Sequence, residues 1–201
     1  LWTPAEATYN VTAYAPPVPG EEFTFNNIDS AVIYVCFARC VLWDDVHDAD
    51  GDSLTGNYLE LYELLTASGF IVDELTSGTI NIGLLAHYDI LVVIDPELDF
   101  SSSEITDIHN WIGAGGAMFV IADTGYPPTL NTLMAPYGVQ MTGYASNYEG
   151  ATTNIVSHPI TQDVGSIYYS LAWEIVVTSP SETVAWTIDY LAFLSATEGG
   201  E

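Results

Sequence analysis

No lysine occurs anywhere in this chain, and Arg39 is its sole arginine. A phosphate backbone demands clustered Lys or Arg, so nucleic acid is excluded as a partner. A Walker lysine, a Schiff-base lysine and a clamp of several arginines are excluded with it. Cysteine is nearly as scarce. Cys36 and Cys40 are the only two, and no second pair exists to complete a zinc site. No apolar run reaches the ~18–20 residues of a membrane-spanning helix. No Gly-x-Ser-x-Gly nucleophile elbow is present.

What remains is acidic and apolar. The 27 Asp and Glu residues against one basic residue give a formal charge of −26, while hydrophobic residues make up 49% of the 201 positions. That is enough for one domain with a sizeable core, and too apolar for a disordered acidic tail. Self-repulsion at this charge is relieved by bound divalent cations, by high salt or by an acidic medium. Each points away from an ordinary cytoplasm. The sequence opens on Leu1 with no basic, apolar leader, as a mature secreted product does, so the expected location is secreted, extracellular or at the cell surface. Asn10-Val11-Thr12 is a glycosylation sequon that suits an exposed extracellular segment. In an oxidising compartment Cys36 and Cys40 have two readings: a disulfide across a tight bend, or a buried thiol at Cys36.

Periodicity then orders the chain. Residues 1–27 carry Pro4, Pro16, Pro17 and Pro19 and read as an extended arm, with an edge-strand alternation at Phe23-Thr24-Phe25. The arm lies on its own domain or on a neighbouring subunit. The apolar run at 31–37 predicts a first buried strand. An acidic loop follows it, then a helix over 57–68 closed by Gly69. Strands are predicted at 70–75, 89–94 and 117–122, with helices at 80–87, after a cap at Ser101, and at 129–135. A short strand fits 139–142. Two Tyr/Trp/Val-rich runs, 167–178 and 183–194, read as a hairpin. The fold class is α/β: a flavodoxin-like, doubly wound parallel sheet with an extended N-terminal arm (1–27) and an α/β domain (28–201) that has a C-terminal β extension from about residue 165.

Three stretches of the middle region carry a family resemblance. They are His87-Tyr88-Asp89 running into Ile90–Ile94 and Asp95; Ser103-Glu104-Ile105 through Trp111-Ile112-Gly113-Ala114-Gly115-Gly116 into Ala117–Ile121, Ala122 and Asp123; and Ser157-His158-Pro159-Ile160-Thr161. Together they resemble the class I glutamine amidotransferase-like superfamily, in particular its non-amidotransferase branch of the DUF4350 and GldG type. The resemblance covers roughly residues 30–165 and implies the fold. In active members it implies a nucleophilic cysteine on the turn after the 117–122 strand. That turn reads Asp123-Thr124-Gly125-Tyr126 here, so amidotransferase activity is not carried over.

The acidic loop is the first candidate site. Asp44, Asp45, Asp48, Asp50 and Asp52 crowd into nine positions, beyond the end of a strand, where α/β domains bind ligands. Alternate aspartates around Gly51 let carboxylates converge on calcium, which takes six to eight oxygens. The EF-hand register fails, because Val46 and Asn57 stand where its end ligands belong. The expectation is an irregular calcium loop, against a merely solvated acidic bend. Asp95 and Asp123, after two later strands, form a possible second site for a cation or a sugar, or are turn aspartates. His47 lies inside the acidic loop and is available as a metal ligand or a base. His87 and His109 read as surface residues, and His158 as a turn residue.

These features lead to three expectations for function. The first is a non-catalytic domain of an extracellular or cell-surface assembly, self-associating through the N-terminal arm and holding calcium. The second is a metal-dependent hydrolase using His47 with Asp44 or Asp45. The third is a carbohydrate-binding module that presents a glycan to Trp173 or Trp186.

Overall fold

Cys40-Val41-Leu42-Trp43-Asp44 are all buried, and this run, not 31–37, is the first strand of the central sheet. The computed structural model describes residues 7–16, 18–20, 27–35, 39–49, 53–122, 126–145, 149–170, 172–187 and 192–197. Within them, β1 (Ala7–Tyr14) and β2 (Ile28–Val35) pair antiparallel as a two-stranded hairpin. The expected boundary at 27/28 therefore runs through this hairpin, and the arm pairs with its own chain. The expected edge strand at 23–25 lies outside the described residues. Residues 31–37 misled because an apolar run cannot by itself distinguish a core strand from an exposed one. Val32 is 69% exposed. The exposed Arg39 separates the hairpin from β3 (Cys40–Asp44).

After β3 the chain alternates as the sequence predicts: α1 (Leu59–Ala67), β4 (Ile71–Leu75), α2 (Ile82–Leu85), β5 (Ile90–Ile94), α3 (Ser102–Gly113), β6 (Ala117–Ile121) and α4 (Pro128–Met134). The four strands form a parallel sheet in the order β4-β3-β5-β6. The order reverses direction at β3, so a topological switch point lies between β3 and β5.

Alternate residues of each strand feed two cores. Leu42, Leu91 and Val93 face a cluster with Ile80, Leu85, Ile105, Ile108, Trp111, Leu130 and Leu133 from the α2, α3 and α4 side. Val41, Trp43, Val92 and Ile94 face the other way, onto Leu54 and the α1 residues Leu61 and Tyr62. The α1 layer stops short of β6. In register beside Ile90, Val92 and Ile94 stand Ala117, Phe119 and Ile121. All three are exposed, Phe119 to 43% and Ile121 to 40%.

The C-terminal third is β-rich but paired differently from the expected hairpin. β7 (Val139–Ala145) pairs antiparallel with β10 (Trp173–Val177), β8 (Glu149–Thr152) with β9 (Ile167–Ser170), and β11 (Glu182–Trp186) with β12 (Ala192–Ala196). The run read as one strand at 167–178 is two, β9 and β10, and each finds its partner upstream. Gly138 adopts φ +71° where the turn at Ala135–Tyr137 meets Thr178, whose N–H donates to the Gly138 carbonyl at 2.7 Å. Among the described residues, no helix is long and apolar enough to cross a membrane.

Candidate functional site

The acidic bend leaves β3 at the switch point, and its first residue, Asp44, is already 98% buried (2% exposed). Asp44 uses one carboxylate oxygen to turn the chain, accepting from the Val46 N–H at 3.2 Å. Its other oxygen lies 2.8 Å from His47 Nδ1. The imidazole is 4% exposed and stacks on Phe100, with ring centroids 3.9 Å apart and planes 20° off parallel. On its far side His47 Nε2 lies 3.7 Å from Glu104 Oε2. An imidazole with a carboxylate at each nitrogen is favoured in its charged form. Burial pushes the His47 pKa down, but the Asp44 hydrogen bond and charge, with Glu104, push it further up, so the net shift is upward.

Glu104 reaches this position because α3 begins with a capping box. Ser101 Oγ accepts from the Glu104 N–H at 3.2 Å, and Glu104 Oε2 accepts in return from the Ser101 N–H at 2.9 Å and Oγ–H at 2.7 Å. Its second oxygen accepts from the Ile80 N–H at 3.1 Å. Burial raises the Glu104 pKa, and the bonds from Ser101 and Ile80 with the His47 charge outweigh it, so the carboxyl is held below its ordinary value. Two further carboxylates anchor the bend by its backbone: Glu97 accepts from the Ala49 N–H at 2.6 Å and Glu74 from the Leu54 N–H at 2.8 Å. The His47 carbonyl accepts from the N–H groups of Glu97 and Leu98.

The switch-point crevice is thus occupied by the protein's own imidazole, His47, and the ring of Phe100. Both nitrogens of His47 face carboxylates, and the ring is 4% exposed. The other half of the bend differs. Asp45 is held above the ordinary carboxylate range, first by burial and then by the charges of Glu74, Asp48 and Asp44. Among the described residues no three His, Cys, Asp or Glu side chains converge as a metal-binding group. Asp50 and Asp52 of the expected calcium set lie outside those residues.

The remaining sequence candidates scatter. Asp95 follows β5 with φ +43°, its N–H bonded to the Ile121 carbonyl at 2.7 Å; Asp123 lies outside the described residues. Cys40 is disulfide-bonded, and the only other cysteine in the sequence, Cys36, lies outside them. Asn10 is exposed on β1, opposite Val32. His158 caps the turn at Pro159–Thr161, its Nδ1 accepting from the Ile160 N–H at 3.2 Å, as its reading as a turn residue expects. His109, read as a surface residue, is half-buried, with Nε2 2.8 Å from the Leu133 carbonyl. Trp173 is half-buried against the first core and meets Tyr126 edge-on. Trp186, also half-buried, borders a shallow concavity with Thr153, Asn154, Ile155 and Val156.

The sequence reading missed Glu104 and Phe100 as partners of His47. Ser101-x-x-Glu104 is legible as a capping box, but its contact with a loop 57 residues upstream exists only once α3 packs beside β3.

Residues 23–127 match the family model described as MBTPS1, fourth GATase-like domain. No curated protein matches the chain in sequence. Among solved structures, the mmIFT52 N-terminal domain superposes with a TM-score of 0.65 at 15% identity, covering 77% of this chain and 83% of that one. A thua-like protein from Bacteroides uniformis ATCC 8492 superposes with a TM-score of 0.49 at 12% identity, covering 76% of this chain and 69% of that one.

Proposed function

This chain belongs to the family of the MBTPS1 fourth GATase-like domain, and from that premise we propose that it is a secreted, non-catalytic structural domain that self-associates in an extracellular or cell-surface assembly and is stabilised by calcium. The fold is amidotransferase-like, with no cysteine on the turn after β6. The resemblance of the motifs in the middle of the sequence to the DUF4350 and GldG type supports a non-catalytic role.

The observation that carries the reading is the N-terminal hairpin. Among the described residues β1 and β2 pair only with each other. Val11 and Ala31 are exposed on one face, and Tyr14, Ile28 and Val32 on the other. A lone two-stranded hairpin is marginally stable in water, and one with apolar groups bare on both faces gains most by docking on another surface. The calcium component rests on the crowding of Asp45 by Glu74, Asp48 and Asp44 in a chain whose charge is −26. The buried His47 supports a structural role for the bend over a hydrolytic one. Trp186 beside its concavity supports a carbohydrate-binding role as the second reading.

Sedimentation velocity over a concentration series tests the assembly. The wild type is expected to form species larger than the monomer, and the double variant V11D/V32D to remain monomeric. A wild type that stays monomeric at every concentration overturns the reading. Calcium is tested by titration calorimetry: heat of binding and a raised melting temperature are expected, both diminished in D45N/D48N, and no heat overturns the calcium component.

A further inference from the structure

We propose that the hairpin of one copy docks on the uncovered face and free edge of β6 in the next copy. This rests on the reading of self-association above and names the receiving surface. β6 ends the parallel sheet, with β5 on one side and no strand on the other among the described residues. An edge strand with unpaired backbone groups is a template for another chain. Its Ala117, Phe119 and Ile121 side chains lie beyond the reach of α1, exposed on the face where Val92 and Ile94 are buried.

Charge selects the occupant. Two copies at −26 each repel over most of their surfaces, so contact is cheapest where carboxylates are fewest. Residues 114–122, from the end of α3 through β6, contain no charged side chain, and the described hairpin residues contain only Asp29. Among the described residues the chain therefore carries two apolar, exposed surfaces of different shape, with Asp29 their one carboxylate: a hairpin paired only with itself, and a sheet edge with a strand on one side only. A second copy supplies one for the other. The two surfaces differ, so the contact is heterologous and its repetition gives a ring or an open chain of subunits, not an isologous dimer.

The test uses full-length chains in sedimentation velocity. F119D removes the receiver and leaves the hairpin, while V11D/V32D removes the hairpin and leaves the receiver. Each variant alone is expected to be monomeric, with association weakened at least about tenfold. An equimolar mixture of the two is expected to form a dimer that grows no further, because each supplies what the other lacks. If F119D assembles like the wild type while V11D/V32D does not, β6 is not the receiver and hairpin-driven association stands. If V11D/V32D assembles like the wild type, the hairpin reading falls as well. A mixture that stays monomeric overturns the complementary contact. Circular dichroism checks that F119D is folded, and I121D on the same stripe, expected to behave identically, replaces it if it is not.

Discussion

His47 and Asp44 meet at 2.8 Å, three residues apart in sequence and both almost wholly buried, at the point of the sheet where relatives of this architecture open a crevice. The contact, with Glu104 on the other side of the ring, favours the charged form of His47 in a chain that has one arginine and no lysine.

Removing that imidazole is expected to be costly. H47Q leaves Asp44 and Glu104 buried and facing a neutral group. Breaking a buried ion pair from one side typically costs about 3–5 kcal/mol. Chemical denaturation of H47Q is expected to show a loss of at least about 3 kcal/mol. A loss under about 1 kcal/mol would mean that the ring is held by stacking on Phe100 and not by charge.

The same cluster sets a pH window. The folded pKa of His47 is raised above 6.5, so its contribution is complete below that value and fades as the pH rises through the folded pKa. Glu104 has the opposite sign: its folded pKa lies below 4.5, so its contribution is present above that value and is lost as the pH falls through the folded pKa. The stability difference between the wild type and H47Q is therefore expected to be greatest between these two limits and to narrow toward alkaline pH. Denaturant midpoints measured from pH 4 to 10 on both proteins check it. A difference that widens with rising pH contradicts the assignment.

Gly138 is expected to tolerate no side chain. Its φ is +71°, and a Cβ would collide with the Thr178 carbonyl. That carbonyl is backbone and cannot rotate away, so G138A is expected to lose more than about 1 kcal/mol in thermal or chemical unfolding. G113A is the control, since the space around Gly113 is open and its φ is not positive. It is expected to change stability by no more than about 1 kcal/mol.

The parallel sheet was legible in the sequence because β5 and β6 are short apolar runs, β4 is a short run with apolar ends, and capped helices separate them. The first strand was not. Residues 31–35 and 41–43 are both apolar, and only the pairing partners decide which is core: Ala7–Tyr14 for the one, β4 and β5 for the other. The tail failed for a related reason. Strand content is written locally, but β7 and β10 pair across some 30 residues, a choice that hydrophobic alternation leaves open. At the site, Asp44 and His47 were legible as neighbours. Glu104 was not, because its carboxylate arrives from another helix.

Arg39 gives the molecule one more property. Trypsin cuts after lysine and arginine, and this chain offers it a single exposed target, at the junction between the hairpin and β3. Cleavage there divides the protein into a hairpin-bearing peptide and an intact sheet domain. Cys40 is disulfide-bonded and begins the second fragment, while the sole other cysteine, Cys36, belongs to the first. The two pieces are therefore expected to travel as one band until a reductant parts them, which makes the hairpin detachable on demand.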